Sequence, residues 1–316
     1  MSASILHSSG PARFHVTERV RRAGGLRRPE LVWGYVFILP SFIGVLCFTL
    51  FPILASFGLM FTDWTLVGQA SFVGLDNFTR MLRDDVFATA LRNTVLYVLL
   101  FVPAVAVGGF LLALLMDRKL RGIALYRTIF FMPSVCMFVA VAMVWQFLYQ
   151  PSTGVFTYYV SLFGIHPPDW LSDQRWAMVA IAIVGFWRNV GYFGLIYLAG
   201  LQSIPSEFHE AAAVDGATAW ARVRHITVPL IWPTTFFVLV IAFIEAFQLF
   251  GEPYVMTKGG PGYATTTLVY LIYRNAFEGF KMGYAAAQSW VLFAIIFTVT
   301  FIQWRLNERR SRGLGA

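Results

Sequence analysis

Charged side chains are scarce in this chain, since Asp, Glu, Lys and Arg make up only 13% of its 316 residues. An ordinary soluble domain contains roughly 25% of these residues. Apolar residues account for 58% and aromatic residues for 17%, which leaves too few polar side chains to cover a water-soluble globule of this length. The composition therefore excludes a soluble protein and predicts a surface that contacts lipid.

Cysteine and the common catalytic motifs are also nearly absent. Cys47 and Cys136 lie in apolar runs without a CxxC spacing or a His/Cys cluster, which predicts two buried, inert thiols and neither a disulfide framework nor a metal site. No Gly-Lys dipeptide occurs, so the G-x-x-x-x-G-K-[ST] loop that binds nucleotide phosphates is missing, as are H-E-x-x-H and G-x-S-x-G. We therefore expect no catalytic residue, no metal and no cofactor in this chain.

Six apolar segments reach the roughly 20 residues that a helix needs to cross the hydrocarbon core of a bilayer. They are residues 31–61, 87–116, 123–149, 176–201, 230–250 and 283–304. The first is longer than the h-region of a signal peptide, so we interpret it as an uncleaved anchor. The fold class predicted is an all-α, polytopic membrane protein with six transmembrane helices, with kinks at Pro40, Pro52, Pro103 and Pro133.

The net charge of +8 is explained by the side of the membrane on which basic residues lie. Sixteen Lys and Arg fall in one set of alternate loops, at residues 1–30, 117–128, 202–229 and 305–316, and seven fall in the opposite set. Cytoplasmic loops carry the excess of positive charge, which predicts that both termini are cytoplasmic. The basic charge is thus a topology signal, and we expect no nucleic acid partner.

The cytoplasmic loop at residues 202–229 has the local chemistry of two short helices. Ser206 is placed to cap the first helix, and Gly216 to end it in a left-handed conformation. Thr218 is placed to cap the second helix, which must stop or kink at Pro229. The small apolar face of the first helix suits either insertion into a groove on a partner protein or an amphipathic hairpin lying on the membrane.

A long, gapless motif occupies this loop: Glu210, Ala211 and Ala212, three residues, Gly216, nine residues, Ile226, one residue, Val228 and Pro229. It resembles the EAA loop, EAA-x(3)-G-x(9)-I-x-LP, of permease subunits in ATP-binding-cassette (ABC) importers that use a separate substrate-binding protein. Only Val228 departs from that pattern, by a conservative apolar change. In that family the loop is a coupling helix that docks on the ATPase, which implies this role for Glu210, Ala211, Ala212 and Gly216.

Two outer segments extend the resemblance. Residues 257–287 combine a Gly-rich turn, threonines at 265–267 that can cap a helix, and a spaced series of aromatic residues, namely Tyr270, Tyr273, Phe277 and Phe280. Such an aromatic face by itself is typical of an interfacial membrane belt. This stretch and residues 72–78 nevertheless resemble outer loops of carbohydrate-uptake permeases related to the maltose and glycerol-3-phosphate systems, and the whole resemblance spans about residues 31–310.

The resemblance implies a type I ABC importer permease fold. Its parts would be a basic cytoplasmic tail (1–30), a first helix and outer loop (31–86), a five-helix transmembrane domain (87–305) and a cytoplasmic tail (306–316). The chain would be a cell-membrane protein and not itself an enzyme. Its partners would be the lipid bilayer, a second homologous permease subunit, an extracytoplasmic substrate-binding protein, and an ATPase dimer that binds ATP and Mg²⁺. The substrate would be a sugar, an oligosaccharide, a polyol or a glycerol phosphate.

Arg188 in the fourth predicted span and Glu245 in the fifth are charged residues that lie outside the loops. At helical rise both lie about 20 Å from the cytoplasmic ends, so they can share a depth. Because charges in hydrocarbon are costly, we expect them to face the bundle interior and pair with each other or with water, either as a packing ion pair or within a substrate pathway. The candidates for that pathway are Arg188, Asn189, Tyr192, Glu245, Gln248, Trp145 and Gln146.

Other functions remain open from the residues alone. A proton-coupled secondary transporter would use Arg188 and Glu245 as its relay, although such folds often contain internal repeats and no clear repeat joins the two halves of this sequence. An intramembrane enzyme has only the missing motifs against it.

Overall fold

The computed structural model describes residues 28–66, 68–118, 121–164 and 168–314, with side chains from residue 33 to residue 309 within these ranges. Of the predicted cytoplasmic tail at residues 1–30, residues 1–27 lie outside the described residues. The described ranges contain no β-strand and two isolated bridges, Thr62 to Phe72 and Thr65 to Lys281. The prediction of an all-α protein is confirmed.

The helices are α1 (Arg28–Val45), α2 (Phe51–Leu59), α3 (Asp76–Leu82), α4 (Asp85–Met116), α5 (Ile123–Val135), α6 (Phe138–Leu148), α7 (Val155–Leu162), α8 (Ala177–Gln202), α9 (Ser206–Val214), α10 (Ala219–Arg222), α11 (Val228–Leu230), α12 (Trp232–Phe247), α13 (Leu268–Tyr273) and α14 (Met282–Leu314). Short π-helical turns join some of them, at Leu46–Leu50, Val223–Thr227, Pro253–Thr257 and Arg274–Glu278. The described part of the chain divides into two compact units, one ending at Leu54 and one beginning at Ala55, and the second contains the sites described below.

Four helical stretches are long and apolar enough to cross a bilayer, namely Trp33–Leu59, Asp85–Met116, Ala177–Gln202 and Met282–Arg309. Two helix pairs also pass this test but are bent, α5 with α6 by 97° and Ala219–Leu230 with α12 by 67°. The described residues thus match the six predicted spans when each bent pair counts as one span.

The third span is broken just after Pro133, where the sequence predicts a kink. Cys136 has an extended backbone with a ψ of 142°, and its amide donates to the carbonyl of Pro133 at 3.3 Å. The two pieces, 13 and 11 residues long, are each shorter than a membrane crossing. By contrast, α4 continues through Pro103 without ending.

The prediction of two buried thiols is wrong. Cys47 and Cys136 are free and exposed in this chain. Cys136 lies at the break between α5 and α6. Cys47 lies in the π-turn Leu46–Leu50, in which no residue is buried. Apolar runs in a membrane protein face lipid or partner subunits as readily as a core, so hydropathy alone does not predict burial within the chain.

Helix α8 is held closely between α4 and α5 at positions where glycine is required. A Cβ on Gly109 of α4 would lie 3.2 Å from the backbone nitrogen of Gly194 in α8. A Cβ on Gly191 of α8 would overlap the carbonyl of Phe130 in α5. Small residues let helix backbones approach closely in lipid, where dispersion contacts take over from the hydrophobic effect. These contacts position the part of α8 that carries Arg188.

We expect Gly191→Ala to destabilise the protein, because the new methyl group would force the backbones of α5 and α8 apart. Overpacking of this kind costs about 2 kcal/mol, which lowers the melting temperature of a chain of this length by about 3 °C. Gly58→Ala is the matched control, since Gly58 is also helical and has open space around its Cβ direction. Thermal unfolding of the purified protein, followed by size-exclusion chromatography, measures both variants. Equal melting temperatures would contradict the proposed close packing.

The outer segment that follows α12 is anchored to α4 by side-chain hydrogen bonds. Nδ2 of Asn93 donates to the carbonyls of Tyr263 and Thr266, at 2.7 and 3.0 Å. Thr267 caps α13 by accepting from the amide of Tyr270 at 3.4 Å, and its hydroxyl donates to the carbonyl of Leu249 at 2.7 Å. The predicted threonine cap is therefore confirmed and assigned to Thr267.

The predicted aromatic face divides into two parts. Tyr270 is buried and Tyr273 is half-buried, and both rings pack against Phe250 and Tyr254. The π-turn Arg274–Glu278 then ends the regular spacing, and Phe277 stays exposed. An interfacial belt is thus wrong for Tyr270, whose ring belongs to an aromatic cluster inside the protein.

Candidate functional site

A cavity of about 550 Å³ lies among α4, α5, α8 and α12. It is lined by aromatic rings, by polar and charged side chains, and by the segment after α12: Tyr97, Phe101, Phe131, Ser134, Val135, Phe138, Arg188, Asn189, Tyr192, Glu245, Gln248, Leu249, Phe250, Gly251 and Glu252. We call this space the central cavity. It combines apolar surfaces with convergent hydrogen-bonding groups, which is the usual composition of a small-molecule site.

The segment after α12 reaches the cavity because the helix ends early. α12 stops at Phe247, three residues before the predicted end of the fifth span, and the chain then turns. Gly251 packs against the ring of Phe138, which leaves no room for a Cβ. This turn presents Gln248 and Glu252 to the cavity from outside the helix.

An ion pair crosses the cavity wall between α8 and this segment. Nη1 of Arg188 lies 3.5 Å from Oε1 of Glu252, and Glu252 is only 6% exposed. Nε of Arg188 is buried and has no hydrogen-bond partner among the described residues. Glu245 lines the same cavity, but in the described part of the chain no hydrogen bond or ion pair is formed by its carboxylate.

The sequence predicts that Arg188 and Glu245 pair with each other or with water. Among the described residues, the ion pair of Arg188 is formed with Glu252 and not with Glu245. Glu252 takes that place because the turn after α12 brings its carboxylate next to α8. Sequence reasoning missed Glu252, which lies beyond the predicted span at 230–250. The available signal was an acidic residue directly before Pro253, two residues past an apolar run.

Five of the seven predicted pathway residues line the central cavity: Arg188, Asn189, Tyr192, Glu245 and Gln248. The structure does not bring Trp145 and Gln146 there. Because α6 bends away from α5 by 97°, Trp145 packs against Tyr149 and Trp187. Gln146 instead donates to the carbonyl of Met256 at 3.4 Å and lines a separate cavity.

The loop at residues 202–229 forms the two predicted short helices, α9 and α10. The left-handed end of α9 is confirmed, since Gly216 has a φ of 79°. Its amide donates to the carbonyl of Ala213 at 3.1 Å, and the next amide donates to the carbonyl of Ala212 at 2.9 Å, which together form a Schellman-type cap. Oγ1 of Thr218 accepts from the amide of Ala221 at 3.3 Å, as the predicted cap of the second helix.

Two details of this loop differ from the prediction. Ser206 does not cap α9, because the residue at the N-cap position is Pro205 and its side chain makes no hydrogen bond. Nor does the second helix stop at Pro229, since a π-turn at Val223–Thr227 leads into α11 and the bend falls at Ile231. A wide turn just before a proline removes part of the clash between its ring and the preceding turn.

The helices of this loop carry exposed apolar side chains. None of the nine residues of α9, which is described in full, is buried. Phe208 is 51% exposed, Val214 is 89% exposed and Trp220 of α10 is 71% exposed. An amphipathic surface of this kind suits a partner protein or a membrane surface.

A bundle of apolar helices around a polar cavity, with an exposed helical loop, is the architecture of a membrane transport permease. Residues 95–313 match the family described as "Binding-protein-dependent transport system inner membrane component". This chain belongs to that family, and it is a multi-pass permease subunit of the ABC transporter type. The assignment leaves the proton-coupled alternative without support.

Curated relatives cover nearly the whole chain. A probable ABC transporter permease protein of Pyrococcus horikoshii is 34% identical, over 88% of this chain and 97% of the relative. The sn-glycerol-3-phosphate transport system permease protein UgpA of Agrobacterium fabrum is 35% identical, over 89% and 97%. The trehalose/maltose transport system permease protein MalF of Thermococcus litoralis is 32% identical, over 90% and 97%.

Among solved structures, a chain of a bacterial alginate ABC transporter, in complex with an alginate pentasaccharide-bound periplasmic protein, superposes with a TM-score of 0.78. The match covers 88% of this chain and 94% of that chain, at 24% sequence identity. It confirms the predicted type I permease fold.

Proposed function

We propose that this chain is one of two homologous permease subunits in an ATP-driven carbohydrate importer, and that the central cavity is its part of the substrate pathway. The cavity is the observation that carries the proposal. Sugars need both hydrogen-bond partners and flat apolar surfaces, and the cavity offers Asn189 and Gln248 next to the rings of Tyr97 and Phe131.

The relatives support the same substrate class. Their names give trehalose or maltose and sn-glycerol-3-phosphate as the substrates of those systems. The similar solved structure contains an alginate pentasaccharide on its periplasmic protein. We infer that an extracytoplasmic binding protein likewise delivers a carbohydrate to this permease.

The exposed loop around Glu210 is the proposed contact with a separate ATPase dimer, where ATP and Mg²⁺ bind. ATP binding closes that dimer, and α9 transmits the movement to the transmembrane helices. The cavity then changes from facing the cytoplasm to facing outward, accepts substrate, and returns after hydrolysis. Each of the two states is favoured by a different ligand condition, as alternating access requires. Both termini of the chain lie in the cytoplasm in this arrangement.

Uptake by the complete importer in proteoliposomes tests this function. The complex is supplied with its binding protein and with labelled maltose, trehalose or sn-glycerol-3-phosphate as probes. We expect uptake of at least one probe that needs internal ATP and the binding protein, and that persists when a protonophore is added. Uptake that continues without ATP and stops with the protonophore would overturn the ATP-driven mechanism. ATP-driven uptake of amino acids, with no carbohydrate taken up, would overturn the substrate class.

A further inference from the structure

The charges on the wall of the central cavity do not balance. Among the described residues that line it, three are charged, and they are Arg188, Glu245 and Glu252. One guanidinium group thus faces two carboxylates, so the cavity carries an excess of one negative charge when all three are ionised.

The positive charge of Arg188 is paired with a carboxylate of the protein itself. Its guanidinium lies 3.5 Å from the carboxylate of Glu252, which is buried and therefore poorly shielded by water. Opposite charges at this distance and burial attract each other strongly. An anionic substrate would have to compete with Glu252 for Arg188.

Within the part of the chain that the structure describes, Glu245 forms no hydrogen bond or ion pair, although the charge of Arg188 acts on it. It projects from α12 beside the buried stripe of Val238, Ala242 and Ala246, is exposed, and lines the cavity. An ionised carboxylate only accepts hydrogen bonds, and hydroxyl groups that donate to a charged oxygen form short, strong bonds. A neutral sugar supplies such donors in quantity, whereas a phosphate or a carboxylate on the substrate would be repelled.

We propose that the transported carbohydrate is uncharged, and that Glu245 is a specificity-determining residue that accepts hydrogen bonds from sugar hydroxyls and excludes anionic sugars. The inference rests on the proposed function and deepens it. It separates this permease from systems that carry sn-glycerol-3-phosphate or alginate, an acidic polysaccharide, although both occur among its similar proteins.

The electrostatic field in the cavity can be measured in the complete complex in nanodiscs. Ser134 lines the cavity, and a cysteine in its place is close to it in size and shape. In Ser134→Cys, with Cys47 and Cys136 replaced by serine, we expect a cationic methanethiosulfonate to react about tenfold faster than an anionic one, after correction for a free thiol. A tenfold ratio corresponds to a difference of about 1.4 kcal/mol between the two reagents. Adding Glu245→Gln should abolish the preference.

Two controls show whether the effect is local to the cavity. Gln248→Glu, in the same cavity, should increase the preference for the cationic reagent. Glu278→Gln removes the same charge from an exposed position outside the cavity and should change nothing. An equal ratio of the two rates with and without Glu245→Gln would overturn the proposal.

Protection of the same cysteine by sugars tests the selectivity directly. Maltose and trehalose are the neutral probes, and sn-glycerol-3-phosphate and glucuronate are the anionic ones. We expect the neutral sugars to slow modification, and Glu245→Gln to weaken their protection about tenfold, as loss of a charged acceptor does. Protection by the anionic probes that equals or exceeds that by the neutral sugars, or no protection by any probe, would overturn the proposal. ATP-driven uptake in proteoliposomes is scored separately, so the proposed function can stand while this inference fails.

Discussion

Gly216→Pro is expected to reduce ATP-driven uptake to background while the protein still inserts and assembles. Gly216 has a φ of 79°, whereas proline holds φ near −65°, so the left-handed end of α9 cannot form. Proline also removes the amide that donates to Ala213. The path of the chain from α9 to α10 would change. The surface that the loop presents to the ATPase would therefore change as well.

The matched control is Gly216→Asn, because asparagine tolerates the left-handed conformation better than other side chains. We expect this variant to retain most of the uptake. Membrane content and co-purification of the ATPase establish assembly for both variants. Normal uptake by an assembled complex carrying Gly216→Pro would contradict a coupling role for the loop.

Glu210→Lys tests the same coupling through charge instead of backbone conformation. Glu210 is exposed on α9, so its reversal costs little folding free energy and acts on the surface offered to a partner. We expect uptake to be lost and ATP hydrolysis to stop responding to the loaded binding protein. Glu278→Lys makes the same charge change at an exposed position outside the loop at residues 202–229 and should leave uptake intact.

The second large effect concerns the ion pair in the cavity wall. Arg188→Met leaves the buried carboxylate of Glu252 without a partner, which we expect to destabilise the protein by roughly 3 kcal/mol and to reduce uptake more than tenfold. The cost lies at the lower end for buried pairs, because the side chain of Arg188 is a quarter exposed.

The double variant Arg188→Met, Glu252→Leu separates stability from transport. Replacing both charges with apolar groups of similar volume is often neutral, so we expect the melting temperature to recover. Uptake should stay low, because the cavity has lost polar groups that line the pathway. Recovery of uptake together with stability would show that the pair only fixes the packing of α8 against the segment after α12.

Local patterns predicted much of the loop at residues 202–229. The left-handed end at Gly216 and the cap at Thr218 depend on backbone preferences and on neighbours within a few residues, so the sequence contains the necessary information. The cap expected at Ser206 failed for a local reason as well, since Pro205 takes the N-cap position. The roles of Glu210, Ala211 and Ala212 are predictions that rest on the resemblance and on their exposure in α9.

The cavity was predictable only in part. Arg188, Asn189, Tyr192, Glu245 and Gln248 are rare polar residues in or near apolar spans, and such residues turn inward because lipid cannot solvate them. The cost of exposing polar groups to lipid does not predict where Trp145 and Gln146 lie, because their positions depend on the 97° bend between α5 and α6.

By itself, the sequence determined the membrane environment, the all-α class, the number of apolar segments and the loop motif. Each of these depends on composition or on short-range spacing, for which the physical cause lies within one segment. Only the tertiary structure decided that Arg188 pairs with Glu252 and not with Glu245, because α12 ends at Phe247 and the chain turns back against α8. Pairing of charges across a bundle depends on distances between segments that are far apart in sequence. The periodicity of residues along one helix gives no information about those distances.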